Sequence, residues 1–169
     1  IKQLERKIER LRKQLEEEVQ THIDWVMEKF AEFNKMPGFK GVFDMVVGGV
    51  GVHPHLAFND YPESKPDFND PQAIKLVRLS ETSRQQQVDD KEFKNKEDVS
   101  THALTWTLSA ILAAIILHII IPRPIKAPAV RLTLDRPISI INPATGLRLP
   151  YVLAKVWLYL DRDSSALSK

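Results

Sequence analysis

The chain has 169 residues, of which 24 are basic and 22 acidic, and a formal net charge of +2. So balanced a charge argues against a nucleic-acid-binding protein, which would carry a strong basic excess. The lack of cysteine in the sequence excludes disulfide frameworks, thiolate metal sites and cysteine nucleophiles. No Asn-x-Ser/Thr acceptor occurs, which counts against a glycosylated ectodomain.

The first segment, residues 1–36, is predicted to form one long amphipathic helix that ends before Pro37-Gly38. Its apolar residues alternate between spacings of three and four, which is typical of a coiled-coil seam, with one slip at Val19. We expect this seam to pack against a second copy or another subunit, while packing within the same protein is the alternative. The predicted seam consists of Ile1, Leu4, Ile8, Leu11, Leu15, Val19, Ile23, Val26, Phe30 and Phe33.

Residues 37–98 are interpreted as a Gly/Pro-rich connector. It would lie outside the membrane that residues 99–122, described next, are predicted to cross. Phe39 to Val52 could place its apolar residues on one helical face, whereas Met45 to Val52 could equally be a strand. We expect this stretch to pack on a partner subunit first and on a membrane surface second. Asp70-Pro71 is a typical helix start and predicts a short helix over 71–87.

The next segment, Ala103 to Ile121, is an uncharged apolar run. As a helix with a rise of about 1.5 Å per residue, it would span roughly 28 Å, close to the thickness of the hydrocarbon core. Residues 99–122 are therefore predicted to form a single transmembrane helix, with Trp106 and the cations Arg123 and Lys126 as its anchors at the interfaces. A buried helix in a large soluble protein is the alternative.

Orientation follows from the basic residues on either side of this run. Three basic residues lie between positions 87 and 101 and four between positions 122 and 136, so the positive-inside rule favours an inner C-terminus. Residues 123–169 form a proline-punctuated tail, in which Val130 to Leu134 and Pro137 to Ile141 are predicted to pair as a short β-hairpin. The apolar stretch from Tyr151 to Leu160 is expected to pack on a partner or on the membrane surface.

The sequence lacks the common catalytic motifs. It contains no phosphate-binding glycine loop, no Gly-x-Ser-x-Gly elbow and no His-Glu-x-x-His helix, so we predict that the protein is not an enzyme. His53-Pro-His55, with Asp44 and Asp60 nearby, could supply metal ligands. Two histidines around a proline are common by chance, so no metal site is predicted.

His118 is the one ionisable residue inside the apolar run. Snorkelling to the interface or a hydrogen bond to a carbonyl is the simpler explanation, and axial ligation of a haem or chlorophyll metal is the alternative. Ala114 and His118 form an Ala-x-x-x-His pattern that resembles the small antenna polypeptides of purple photosynthetic bacteria. That resemblance, confined to this run and its flanks, implies a bound pigment at His118.

Together these features predict a mainly α protein with a long N-terminal helix, one transmembrane helix and extended proline-rich segments. The expected function is a non-catalytic, single-pass accessory subunit that fastens neighbouring subunits of a larger, bioenergetic membrane complex. Its partners would be other subunits or a second copy through the N-terminal helix, together with the bilayer and without nucleic acid. The alternatives are the membrane-proximal stalk, anchor and tail of a spike glycoprotein, and a pigment- or haem-binding polypeptide.

Overall fold

A computed structural model of the protein describes residues 2–34 and 42–167. The chain divides into two compact units, Ile1–Gly41 and Val42–Lys169. In the first unit, helix α1 extends from Lys2 to Asn34 and consists largely of Glu, Lys, Arg, Gln and Leu, which are strong helix formers. The predicted seam residues from Leu4 to Val26 lie on this helix. Ile1 and the side chains of Phe30 and Phe33 lie outside the description, and the seam stays a prediction.

The second unit is built on a parallel sheet. Strands β1 (Met45–Gly48), β4 (Ile116–Ile121) and β5 (Val156–Leu160) pair in the order β1-β4-β5, with all neighbours parallel. Strands β2 (Ile74–Arg78) and β3 (His102–Trp106) form a separate antiparallel pair. Helical segments lie in sequence between β1 and β4 and between β4 and β5, because parallel neighbours must be joined by a long crossover connection.

The helices of this unit are short. They are α2 (Glu81–Asp89), α3 (Leu108–Leu112), α4 (Ala127–Asp135) and α5 (Pro150–Leu153), with 3-10 turns at Lys96–Asp98, Pro124–Lys126 and Pro143–Arg148. The core lies between these helices and one face of the sheet. Its largest fully buried apolar side chains are Leu108, Leu112, Leu117, Ile119, Ile121, Val130 and Val152.

The opposite face of the sheet is exposed and largely apolar. Alternate side chains of a strand point to opposite faces, and the register places residues of all three strands side by side on this one. Its exposed members are Met45, Val47, Ile116, Ile120, Trp157 and Tyr159.

The predicted transmembrane helix is wrong. Within the described residues, no helix combines the length and the apolar character that crossing a bilayer requires. Residues 99–122 instead contain β3, α3 and β4, and Thr107 begins α3 by accepting a hydrogen bond from the Ala110 N–H. The run is apolar because α3 is buried and β4 is the central strand of a parallel sheet, where near-continuous apolar sequence is usual. The fold is therefore α/β, and the mainly α prediction is corrected.

Other segments also differ from their predictions. The helix expected over 71–87 is replaced by β2 and α2, because Ser80 rather than Asp70 is a helix cap there. The hairpin predicted in the tail is helix α4 followed by a 3-10 turn, and the last apolar stretch holds α5 and β5. Of the two readings for the connector, the structure has a strand at Met45–Gly48, while Phe39 lies outside the described residues.

Candidate functional site

A cleft of about 650 Å³ runs along β1 and opens at the carboxyl ends of β1 and β4. Ligands of open α/β sheets bind at this edge, where the loops after the strands meet. One wall is apolar and includes Phe43 and Trp106, whose rings meet edge to face with centroids 4.9 Å apart. The polar groups of the lining are the Gly48–Gly51 backbone and the side chains of His55, Ser83, Gln86, Gln87, Arg123 and Lys126.

The glycines after β1 allow close approach within the cleft. A Cβ atom on Gly49 would lie 3.2 Å from the carbonyl oxygen of Ile120, and one on Gly51 would overlap the imidazole ring of His55. The Gly51 N–H also donates to the carbonyl oxygen of His55 at 3.0 Å. Gly51 therefore makes room for the His55 ring.

His55 is buried, with 8% of its surface exposed. Its Nδ1 lies 2.5 Å from the carbonyl oxygen of Ala57, which can only accept a hydrogen bond, so Nδ1 carries the proton and Nε2 is the acceptor. Burial lowers the pKa of His55 below its ordinary value, against the opposing charge of Asp60. A neutral imidazole thus lines the cleft. Ala57, whose carbonyl oxygen accepts this hydrogen bond, has a left-handed φ of 48°.

Asp60 is a buried carboxylate that supports the cleft from behind its lining. Its Oδ2 accepts hydrogen bonds from Ser80 Oγ at 2.5 Å and Ser83 Oγ at 3.3 Å. His53 Nδ1 lies 3.9 Å from the same oxygen. Ser80 is the N-cap of α2, so Asp60 ties the loop after β1 to the helix that carries Ser83, Gln86 and Gln87.

Two cations follow β4. The Lys126 ammonium is buried and donates to the carbonyl oxygen of Val50 at 2.9 Å. Burial, followed by the charge of Arg123, lowers the pKa of Lys126. Arg123 is more exposed, and its Nη2 lies 3.0 Å from Asp90 Oδ1. Burial of Asp90 acts to raise the pKa of its carboxyl group, but hydrogen bonds from Arg123 and Gln86 lower it overall.

Together these groups suit an anionic, hydroxyl-bearing ligand. The cations and backbone N–H groups favour negative charge, and the neutral His55 can accept a proton or a hydrogen bond from a hydroxyl group. In the described part of the chain, no group of three His, Asp or Glu side chains could hold a metal ion.

The residues predicted from sequence fall partly in this cleft. Trp106, Arg123 and Lys126 line it, and the membrane helix that they were predicted to anchor is absent from the described residues. His118 lies on β4 outside the lining, and its Nδ1 is 2.8 Å from the Tyr159 hydroxyl. The membrane helix that suggested a haem or pigment at His118 does not exist, and cofactor binding there stays a prediction without that support.

From sequence His55 is only a possible metal ligand, and neither Gly51 nor Ser83 is predicted as a site residue. The available signal was the pair Gly49-x-Gly51 directly after an apolar stretch, followed by His53-Pro-His55. A glycine pair at the end of a strand marks close approach of the backbone to a ligand or a side chain.

Comparison with known proteins reveals similar enzymes, although no family model matches the chain. It is 34% identical over 105 residues to the glucosamine-6-phosphate deaminases of Bacillus thuringiensis (strain Al Hakam) and Bacillus cereus (strain AH820), covering 62% of this chain and 37% of theirs. Among solved structures, a monomeric glucosamine-6-phosphate deaminase of the NagB superfamily is 29% identical, with a TM-score of 0.64 over 73% of this chain and 47% of that one.

A 6-phosphogluconolactonase from Trypanosoma cruzi shares the fold, with 19% identity and a TM-score of 0.61 over 87% of this chain and 51% of that one. The chain has the α/β fold of these enzymes. It spans well under half the length of the curated deaminases, 37% in each.

This likeness corrects the functional predictions. The similar proteins are catalytic enzymes, so the prediction of a non-enzyme is wrong. The accessory-subunit, spike-stalk and single-pass membrane interpretations all required a transmembrane helix that the described residues lack. The predicted partners are wrong for the same reason, and the similar deaminase structure is of a monomeric enzyme, which gives no support to a second copy.

Proposed function

We propose that the protein acts on a phosphorylated amino sugar. Its proposed substrate is glucosamine 6-phosphate, and the proposed reaction releases the amino nitrogen of this sugar as ammonia. The observation that carries the proposal is the neutral His55 in a cation-edged cleft at the carboxyl ends of parallel strands. The deaminases that are 34% identical supply the substrate class.

His55 has the properties of a general acid–base group. Removing an amino group from a sugar requires proton transfers at its hydroxyl and carbon atoms, and a neutral imidazole can take up one proton and return it. Because Ala57 fixes the proton on Nδ1, the lone pair of Nε2 is the acceptor. The low pKa of His55 keeps this lone pair free at neutral pH.

The lining of the cleft fits the rest of the substrate. Gln86 and Gln87 offer amide groups to the sugar hydroxyls, and Ser83 Oγ, whose hydrogen is donated to Asp60, offers an acceptor. The positive charge of Arg123 and Lys126 at the end of β4 favours the phosphate. The apolar wall with Trp106 offers a surface for the C–H face of the ring.

The first test measures ammonia release from glucosamine 6-phosphate by the wild type and by His55→Gln. We expect the variant to lose at least about 100-fold in rate, the usual contribution of a positioned acid–base group, with substrate binding retained. The wild type should keep its rate below pH 6.5, the ordinary pKa of histidine, because the neutral form of His55 persists there. The rate should fall only as the pH passes through the lowered pKa.

The matched control is His118→Gln, which changes a histidine of β4 that lies outside the cleft lining. We expect it to keep the wild-type rate. A wild-type protein that neither binds glucosamine 6-phosphate nor releases ammonia would refute the proposal, and an active His55→Gln variant would refute the role of His55.

A further inference from the structure

Arg123 has a backbone conformation that favours glycine. Its φ is 82°, and its N–H donates to Asp161 Oδ2 at 2.8 Å, which helps to hold the chain in this turn after β4. A residue with a Cβ atom at positive φ has a free-energy cost that glycine does not have. Residues of this kind cluster at functional sites, where the surrounding structure fixes them.

The guanidinium group of Arg123 is held at the edge of the cleft by a contact that is easily broken. Its side chain is 55% exposed, and among the described residues its one side-chain partner is Asp90, at 3.0 Å. Exposed ion pairs contribute little in water. Asp90 also follows the last residue of α2, where its negative charge meets the negative end of the helix dipole.

The other cation of the cleft is less free to turn toward a ligand. Lys126 is buried and its ammonium already donates to the Val50 carbonyl. Arginine also presents planar N–H groups that match two phosphate oxygens at once, whereas lysine acts as a point charge. Arg123 is therefore the better placed of the two to recognise a phosphate.

We propose that Arg123 is the residue that distinguishes phosphorylated from unphosphorylated sugars, and that Asp90 competes with the phosphate for its guanidinium group. In the unbound protein Asp90 holds the group. When a phosphate enters, its oxygens replace the Asp90 carboxylate on Arg123. The assignment of the substrate as a sugar phosphate rests on the function proposed above, whereas phosphate recognition by Arg123 does not.

The test uses Arg123→Gly, which removes the guanidinium group and suits the local backbone. We expect this variant to melt at the same or a higher temperature than the wild type, because glycine tolerates the φ of 82°. Its affinity for glucosamine 6-phosphate and for inorganic phosphate should fall about tenfold or more, the size of a lost charged hydrogen bond. Its affinity for glucosamine should not change. Phosphorus NMR titration and calorimetry at low ionic strength measure these affinities.

Asp90→Asn tests the competition. Freeing Arg123 from its carboxylate partner should raise phosphate affinity about two- to fivefold, as expected for losing an exposed ion pair. The matched controls are Arg131→Ala and Asp135→Asn, because this arginine is 58% exposed and its Nε lies 3.7 Å from Asp135 Oδ2, outside the cleft. Both controls should leave phosphate affinity unchanged.

The outcomes separate the two proposals. If the wild type binds glucosamine 6-phosphate and Arg123→Gly binds it equally well, the role of Arg123 is wrong and the proposed function stands. If inorganic phosphate binds as tightly as the sugar phosphate and Arg123→Gly loses both, the role of Arg123 stands and the sugar substrate is wrong. A wild type that binds neither anion overturns both, and unchanged phosphate affinity in Asp90→Asn overturns the competition.

Discussion

At the scale of single residues, the contact between Gly51 and His55 fixes the position of the imidazole ring that we propose as the acid–base group. The imidazole ring occupies the space where a side chain on residue 51 would begin. The carbonyl of Ala57 then selects the tautomer by accepting from Nδ1. Small changes at position 51 should therefore affect both the stability of the loop and the position of Nε2.

We predict that Gly51→Ala destabilises the protein by about 2 kcal/mol, because the new methyl group forces the His55 ring out of its place. Ammonia release should fall with it. Gly48→Ala is the matched control, since a Cβ atom there meets no atom within 4 Å. Chemical denaturation of both variants measures the difference, and equal stability would show that the ring is not held against Gly51.

Some site residues stood out in the sequence, but with the wrong role. Arg123 and Lys126 follow a long apolar run, and a cation just beyond such a run has the same sequence pattern after a membrane helix as after a buried strand. From sequence alone, His55 is only a possible metal ligand beside His53. The role that we propose for it depends on Gly51, Ala57 and burial, which local sequence does not reveal.

At the scale of elements, the run from Ala103 to Ile121 shows why hydropathy alone predicts a membrane helix where the fold has none. Its uncharged length matches a membrane helix, but it contains the end of β3, the buried helix α3 and the central strand β4. Thr107 marks the break, because its hydroxyl caps α3 and donates to the Gln72 carbonyl at 2.7 Å. Helix α1, rich in helix formers, was predictable because its pattern is local.

Helix α2 provides a prediction at this scale. Ser80→Ala removes both the N-cap that accepts from the Ser83 N–H and a hydrogen bond to the buried Asp60. We expect a loss of about 1–2 kcal/mol in the free energy of unfolding, the usual cost of losing a cap. Ser83→Ala should cost less, because its hydroxyl lies farther from Asp60, at 3.3 Å, and its backbone N–H is retained. Thermal melts that show equal losses would contradict the capping role.

At the scale of the whole molecule, the described fold resembles part of a larger enzyme. The alignment with the monomeric deaminase structure covers 73% of this chain but only 47% of the deaminase chain. The fold class could not be read from composition, because β1 and β5 are short and their pairing with β4 joins residues far apart in sequence. The cleft likewise draws its lining from five segments between Phe43 and Lys126, which meet only in the folded chain.

The measurement that tests the central claim most directly is a titration of the isotope-labelled protein with glucosamine 6-phosphate, followed by amide NMR. We predict concentration-dependent shifts at Gly49, Gly51, His55 and Arg123, and none along helix α1. Glucosamine without phosphate should shift the Arg123 amide less. An absence of shifts, or shifts confined to residues outside the cleft, would contradict a sugar-phosphate site at the carboxyl ends of β1 and β4.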